Sequence, residues 1–299
     1  MKKTRRTAFS LIEMAIVVLI IGVMIVGVIG GSGMIRSASL SSARSFTVKS
    51  TVPQIKGLVA WYETSLKESL KAAEANDSSQ ISAWYDISPA SMAAQRYDVT
   101  PGTATGQKNI LSRTASSALT YQSKAINDLP SLYFSGSGSL NLTNFYQGSL
   151  AQATIFIVLQ PTATLGITLL DSDSAGSTAS IGVSSTSVNL NAGSSVSTAT
   201  GSNSASFVAG NDYIVAAYLN GSSSKAYVNN AATSAGNANI DAGSNSLTGL
   251  TIGANKSGGN AFTGLISEII IYDHPLQIQE RRDVFKYLSF KYKISVTGI

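Results

Sequence analysis

From Met14 to Ile35 the chain carries no charged residue, and Glu13 stands immediately before that run. As a helix rising about 1.5 Å per residue, such a stretch is roughly 33 Å long, enough to cross a hydrocarbon core of about 30 Å. This predicts an N-terminal helix separate from any globular core, spanning a membrane over Phe9 to Ile35. The basic block at Lys2, Lys3, Arg5 and Arg6 would keep its start on the cytoplasmic side. Glu13 is the informative residue, because a carboxylate costs about 2.5 to 3.5 kcal/mol toward the middle of a membrane helix and so calls for a cation. Cleavage after Ala8 would create one, the α-amine of Phe9, which could neutralise Glu13 of a neighbouring copy and set the register of an assembly. A secretory signal peptide would share the basic start and apolar centre but not Glu13. A twin-arginine signal, suggested by Arg5-Arg6, fits the length of the run poorly.

Ala8-Phe9-Ser10-Leu11-Ile12-Glu13-Met14 resembles the cleavage and methylation motif of type IV pilins and type II secretion pseudopilins. The resemblance implies cutting between Ala8 and Phe9 by a prepilin peptidase, N-methylation of Phe9 and use of Glu13 in assembly. The partners it implies are further copies of the chain in a helical filament, an assembly platform, and the inner membrane before assembly. Beyond Ile35, Leu40, Ala43 and Phe46 recur at helical spacing, so the helix is expected to continue until Pro53 stops it. The organisation expected is a leader over 1–8, a membrane and assembly helix over 9–52, and a head over 53–299.

The formal charge of +5 invites a nucleic-acid reading. Removing Lys2, Lys3, Arg5 and Arg6 from 21 basic residues, against 16 acidic ones, leaves +1, so the basic balance belongs to the leader and no nucleic-acid partner is expected. There is no cysteine, which excludes disulfides, thiolate metal sites and a cysteine nucleophile. Charged residues are 12% of the chain, about half the usual share, with Ser, Thr, Asn, Gly and Ala in their place, as in secreted surface proteins.

After Pro53 short β-branched and aromatic runs alternate with Gly, Ser and Asn clusters. The clearest strands are 154–159, 213–219, 250–253 and 265–272. Asn220-Gly221 signals a hairpin returning through 225–228. Helices are expected over Ser65 to Ala75 and over Gln277 to Lys291, the latter with Ile278, Phe285, Leu288 and Tyr292 on one face. Many short strands without alternating helices predict an antiparallel β-sandwich, so the fold class is α+β with a C-terminal helix. Three segments, 57–62 with 82–86, 129–136 and 264–272, resemble concanavalin A-like, laminin-G-like domains, which implies a jelly roll over the head.

Glucanases share that fold but need two carboxylates about 5 to 5.5 Å apart. Glu268 and Asp273 are an odd number of residues apart and would face opposite sides of a strand, so no catalytic residue and no enzyme activity is expected. His274, the single histidine, reads as a connecting residue. Asp171 and Asp173 offer oxygens for calcium, but two acids are few for such a site, and no cofactor is assigned. Trp61 and Trp84 read as core residues rather than sugar platforms. The uncharged stretch 174–211 reads as exposed strands and loops, with a face against other subunits or a receptor as the alternative.

The expectation is a pilin-like structural subunit in an extracellular filament, its head displayed for adhesion. The alternatives are a minor pilin or pseudopilin of a secretion or DNA-uptake system, and a membrane-anchored carbohydrate-binding module with a glycan or surface ligand.

Overall fold

The computed structural model describes residues 10–91, 109–114, 119–162, 166–173, 178–193, 197–200, 207–232 and 239–299. The chain divides into two compact units, Met1–Ser42 and Ala43–Ile299. In the first, a helix begins at Leu11 and runs to Val48, ending before the expected stop; Pro53 instead opens a short 3-10 turn, Val52–Gln54. Ser10 and Glu13 start the helix as a capping box. The Ser10 hydroxyl accepts the Ile12 N–H, and the Glu13 carboxylate accepts the Ser10 N–H at 2.7 Å, which satisfies otherwise orphaned helix donors.

Among the described residues, no helix is long and apolar enough to cross a membrane. The large apolar side chains described on this helix before Arg36, those from Leu11 to Ile25 and Met34, are each about half exposed or more. The side chains of 26–33 and of 35 lie outside the described residues, and the span expected over Phe9 to Ile35 is a reading of the sequence.

Among the described residues, the second unit is a sandwich of two antiparallel sheets of eight strands each. In the first sheet, β14 (Ala231–Ala232), β13 (Lys225–Val228), β12 (Tyr213–Leu219), β7 (Ala153–Pro161), β16 (Thr263–Tyr272), β5 (Ser131–Ser135) and β4 (Leu119–Gln122) lie in that order. β1 (Leu58–Glu63) pairs with the far half of β16. In the second, the order is β11 (Ser197–Thr200), β10 (Ser187–Asn191), β9 (Ser180–Val183), β8 (Ile167–Asp171), β15 (Leu250–Ile252), β6 (Leu140–Leu142), β3 (Leu111–Arg113) and β2 (Ala83–Trp84).

The two sheets read differently in sequence because they are covered differently. The first is buried on both faces. Ile155, Ile157 and Leu159 of β7 join the core between the sheets, whereas Phe156 and Val158 join a second cluster beneath the C-terminal helix. A strand buried on both sides becomes a continuous apolar run. The second sheet alternates: Ile181, Val183, Val188 and Leu190 point into the core while Ser180, Gly182, Asn189 and Asn191 face outward. The stretch 174–211 thus supplies core as well as surface.

The C-terminal helix spans Ile278–Tyr292 with a capping box between Gln277 and Glu280. Phe285, Leu288 and Tyr292 are buried as expected, but Ile278 is 62% exposed; it lies in the first turn, before the helix meets the sheet. The helix expected over Ser65 to Ala75 is reduced to a 3-10 turn, Lys67–Ser69. The Glu63 carboxylate takes the Ser65 and Leu66 N–H groups, and this local competition outweighs good helix formers. The Asn220-Gly221 hairpin is present, with β12 paired to β13, though through a 3-10 turn at Gly221–Ser223.

Asp86 closes the joint between β2 and β1. Its carboxylate accepts the N–H groups of Trp61 at 2.9 Å and Ser88 at 2.8 Å, and the Ser88 hydroxyl at 3.0 Å. Burial pushes Asp86 up to about 6, against the pull of these donors. In the unfolded chain the carboxyl titrates near 3.8, so the folded form holds the extra proton between those values and stability falls as pH rises through that window. Denaturant midpoints of wild type minus Asp86→Asn should therefore decline from about pH 4 to about 6 and stay level above it. A difference independent of pH would refute this assignment.

Candidate functional site

The outward face of the second sheet gathers short polar side chains into a transverse row. Strand register places Ser112 opposite Asn141, Asn141 opposite Thr251, and Thr251 opposite Asp171. On the next strands, Ser180 is paired with Asn191 and Gly182 with Asn189. The row exists because β6, β9, β10 and β15 alternate an apolar residue inward with a small polar or glycine position outward, while β8 joins it after a register shift that buries both Leu169 and Leu170. At its centre Thr251 and Asp171 are each only 3% exposed. It is also pre-oriented. The Asn141 amide donates to Thr251 Oγ1 at 3.1 Å, and Thr251 donates to the Ser172 carbonyl at 3.0 Å.

Two open cavities lie along this face. One, of about 450 Å³, includes Thr168, Asp171, Ser180, Gly182, Asn189 and Asn191 in its lining. The other, of about 850 Å³, includes Ser112, Arg113, Asn141, Asn144 and Thr251. Asn255, Lys256 and Ser257 border both. Their turn is held by the Asn255 side-chain oxygen, which accepts the N–H groups of Ser257 and Gly259. At Gly182 a Cβ would come within 2.9 Å of the Ile167 carbonyl oxygen, so glycine keeps the floor of the first cavity low. Amides, hydroxyls and a cation on a rigid sheet suit a ligand rich in hydroxyl groups, since each such group can both donate and accept.

Asp171, a calcium candidate in the sequence, sits at this face with both oxygens engaged by backbone. Oδ1 accepts the Ser172 N–H at 2.8 Å and Oδ2 the Lys256 N–H at 2.9 Å. Burial raises its pKa, opposed by these bonds and by the Lys256 charge. Asp173 accepts from the Thr248 hydroxyl at 2.9 Å. Among the described residues, no group of three His, Cys, Asp or Glu is placed to hold a metal.

The other candidates lie elsewhere. Trp61 and Trp84 are buried, their indole N–H groups donating to Glu268 Oε1 at 2.7 Å and the Glu63 carbonyl at 2.8 Å, the core role expected of them. Glu268 is buried beneath the C-terminal helix, whereas Asp273 lies past the end of β16, half-exposed and 2.8 Å from His274 Nδ1. The structure does not bring Glu268 and Asp273 into one site. Ala8 and Phe9 lie outside the described residues. Glu13 caps the N-terminal helix.

Sequence reading missed the polar row. Asn, Ser and Thr in a Ser-rich chain carry no local signal, and the row becomes visible only when register places 112, 141, 251 and 171 side by side. It also missed Lys291, whose ammonium is wholly buried between Glu63 and Glu268, 2.8 Å from each. Lys291 also donates to Thr47, from the last turns of the N-terminal helix, at 2.8 Å. Tyr287 and Tyr292 add hydroxyl donors to Glu268. Burial alone would raise Glu63 and lower Lys291. Their mutual attraction and the surrounding donors reverse both, holding Glu63 below and Lys291 above their usual ranges.

Residues 134–280 match the model of the concanavalin A-like lectin/glucanases superfamily. The match lies within the head, and the prepilin-like reading of Ala8 to Met14 rests on the sequence. Among solved structures, domain 4 of AbnA, an extracellular GH43 arabinanase of Geobacillus stearothermophilus solved with arabinotriose, is similar at 16% identity. That likeness covers 77% of this chain and 97% of that one, with a TM-score of 0.50. A Trypanosoma rangeli sialidase solved with the inhibitor DANA is similar at 16% identity over 77% of this chain and 33% of its own, with a TM-score of 0.43. The binding domain of Paraclostridial Mosquitocidal Protein 1 follows at 12% identity, 77% and 52% coverage, and 0.45. The chain thus spans about a third of the sialidase and about half of that binding domain. At these identities the likeness concerns the fold. No curated protein matches the chain.

Proposed function

We propose that the head is a saccharide-binding module without catalytic activity, using the outward face of the second sheet. The observation that carries this reading is the row Ser112, Asn141, Thr251 and Asp171, flanked by two open cavities and continued by Asn189 and Asn191. The similar arabinanase domain was solved with arabinotriose, which supports a saccharide as the class of ligand. Among the described residues that line the two cavities, Asp171 is the one acid, and it is engaged by two backbone donors. Binding without turnover is therefore the reading for this site.

The test is a glycan-array screen of the head followed by titration of the best oligosaccharide. Asn141→Ala with Asn191→Ala should weaken it by at least about tenfold, the loss of one or two good hydrogen bonds, without moving the thermal midpoint by more than a few degrees. Unchanged affinity in that variant would place the ligand elsewhere.

The N-terminal segment favours a second reading for the chain as a whole, a filament subunit that displays this head outside the cell. The observation behind it is Ala8-Phe9-Ser10-Leu11-Ile12-Glu13, followed by apolar side chains exposed along the helix. In this reading a prepilin peptidase cuts before Phe9 while the precursor sits at the cytoplasmic membrane, Phe9 is N-methylated, and Glu13 engages the Phe9 amine of another copy. Mass spectrometry of the extracellular protein should find N-methyl-Phe9 as its first residue, and Glu13→Ala should abolish filaments while leaving the head folded. Any other N-terminus ends this reading.

A further inference from the structure

The last turns of the N-terminal helix and the C-terminal helix enclose a groove of about 470 Å³ on the surface of the second unit. Its lining includes Phe46, Lys49, Ser50, Asp283, Lys286, Tyr287 and Phe290. Phe46 is 45% and Phe290 59% exposed. Two large aromatic side chains left in water at one concave place are an incomplete contact rather than scattered surface residues.

The walls of the groove are fixed from beneath. Thr47, the neighbour of Phe46, lies 3.2 Å from the Tyr287 hydroxyl and accepts from Lys291 at 2.8 Å, and Lys291 is held by Glu63 and Glu268. Phe156 packs edge-on against Phe285, their ring centroids 5.3 Å apart, on the buried side of the same helix. A buried ion network is expensive to desolvate, and its best-attested use is to fix one geometry. Here the geometry it fixes is the separation of the Phe46 and Phe290 walls, so the groove exists before anything enters it.

We propose that this groove receives the apolar segment Leu11–Ile25 of a second copy of the chain. The occupant follows from what the chain carries. Leu11, Ile12, Met14, Val18, Leu19, Val23 and Met24 are each more than half exposed, so every copy brings a helical apolar surface that needs a partner alongside a groove that lacks one. Docking an apolar helix into an aromatic groove removes both exposures at once. The groove is basic on balance, with Lys49 and Lys286 against Asp283, and the donor segment brings no cation, its one charged residue being Glu13. A donor on one face and an acceptor on another make a heterologous contact, which propagates into an open assembly rather than closing a dimer. The proposal deepens the filament reading and rests on it, and it is independent of the saccharide reading.

The chain has no cysteine, so a single introduced thiol reports cleanly. Full-length Phe290→Cys and full-length Val18→Cys, made separately and mixed under assembly conditions, can form a heterodisulfide only between copies. The expected result is a 290–18 disulfide at least about ten times more abundant than that of a Tyr146→Cys control, whose position is also exposed. Phe46→Ser in the acceptor should reduce the yield by about tenfold, as loss of an aromatic anchor does. Filaments that assemble while the 290–18 disulfide stays at the control level would overturn the groove and leave the filament reading standing. No self-association of the processed wild-type chain would overturn both. A Val18 thiol shielded only in lipid vesicles, without cross-linking, would overturn the groove in favour of a membrane as the partner.

Discussion

Replacing Lys291 with methionine should destabilise the head by about 3 to 5 kcal/mol, the range for removing one partner of a buried ion pair. The side chain is wholly buried and its three N–H donors face four oxygens, those of Thr47, Glu63 and Glu268 at 2.8 Å and the Tyr287 hydroxyl at 3.2 Å. Methionine fills much of the volume but leaves two buried carboxylates without a cation. Glu63 retains the Ser65, Leu66 and Ser69 donors and Glu268 retains Trp61, Tyr287 and Tyr292, so the loss is Coulombic more than a loss of hydrogen bonds. The pH dependence follows from the signs of the two shifts. Glu63, lowered from an ordinary 4.5, contributes above that value and fades as pH falls through its folded pKa. Lys291, raised from 10.5, contributes below that value and fades as pH rises through its own. Wild type should therefore lead Lys291→Met by a constant margin across neutral pH, with the margin narrowing at both extremes. Urea titrations at pH 3, 7 and 11 check this, and a variant as stable as wild type at pH 7 would show the network to be idle.

Trp84→Ala should cost about as much, roughly 3 to 5 kcal/mol, for a different reason. Trp84 is fully buried, its ring lies 5.6 Å from that of Tyr62, and its N–H donates to the Glu63 carbonyl. Truncation opens a large cavity in the core between the sheets and strands a backbone acceptor. Trp84→Phe should recover part of the loss, because the ring returns without the donor. The reading of this tryptophan as core rather than sugar platform is thereby exposed to test: a variant that kept its stability but lost saccharide affinity would reverse it.

Much of the sandwich was legible in the sequence because the first sheet is covered on both sides. Runs such as 154–159 and 213–219 can hardly be anything but central strands, and they appear within β7 and as β12. The C-terminal helix was equally plain, since Phe285, Leu288 and Tyr292 recur on one face and all three are buried. The region after Glu63 was misread because helix propensity is a weak preference, and one buried carboxylate capturing two N–H groups overrides it. The membrane span rests on the sequence alone, since the side chains of 26–33 and of 35 lie outside the described residues. The candidate face was the least legible part. Its residues come from strands far apart in the chain, each an ordinary Asn, Ser or Thr, and only pairing makes them neighbours. Lys291 was hidden for a related reason, since a lysine in the last turn of an amphipathic helix looks like a solvated charge until Glu63 and Glu268 are found beneath it.

The most direct test of the saccharide-binding reading is the position of a bound oligosaccharide in a crystal of the head soaked with the best ligand from the array. The account predicts sugar density over Asn141 and Thr251, extending toward Asn191 or toward Arg113, with Lys256 between the two cavities in contact. Density confined to the loops at the ends of the sandwich, with the Asn141 to Asn191 face bare, would contradict it.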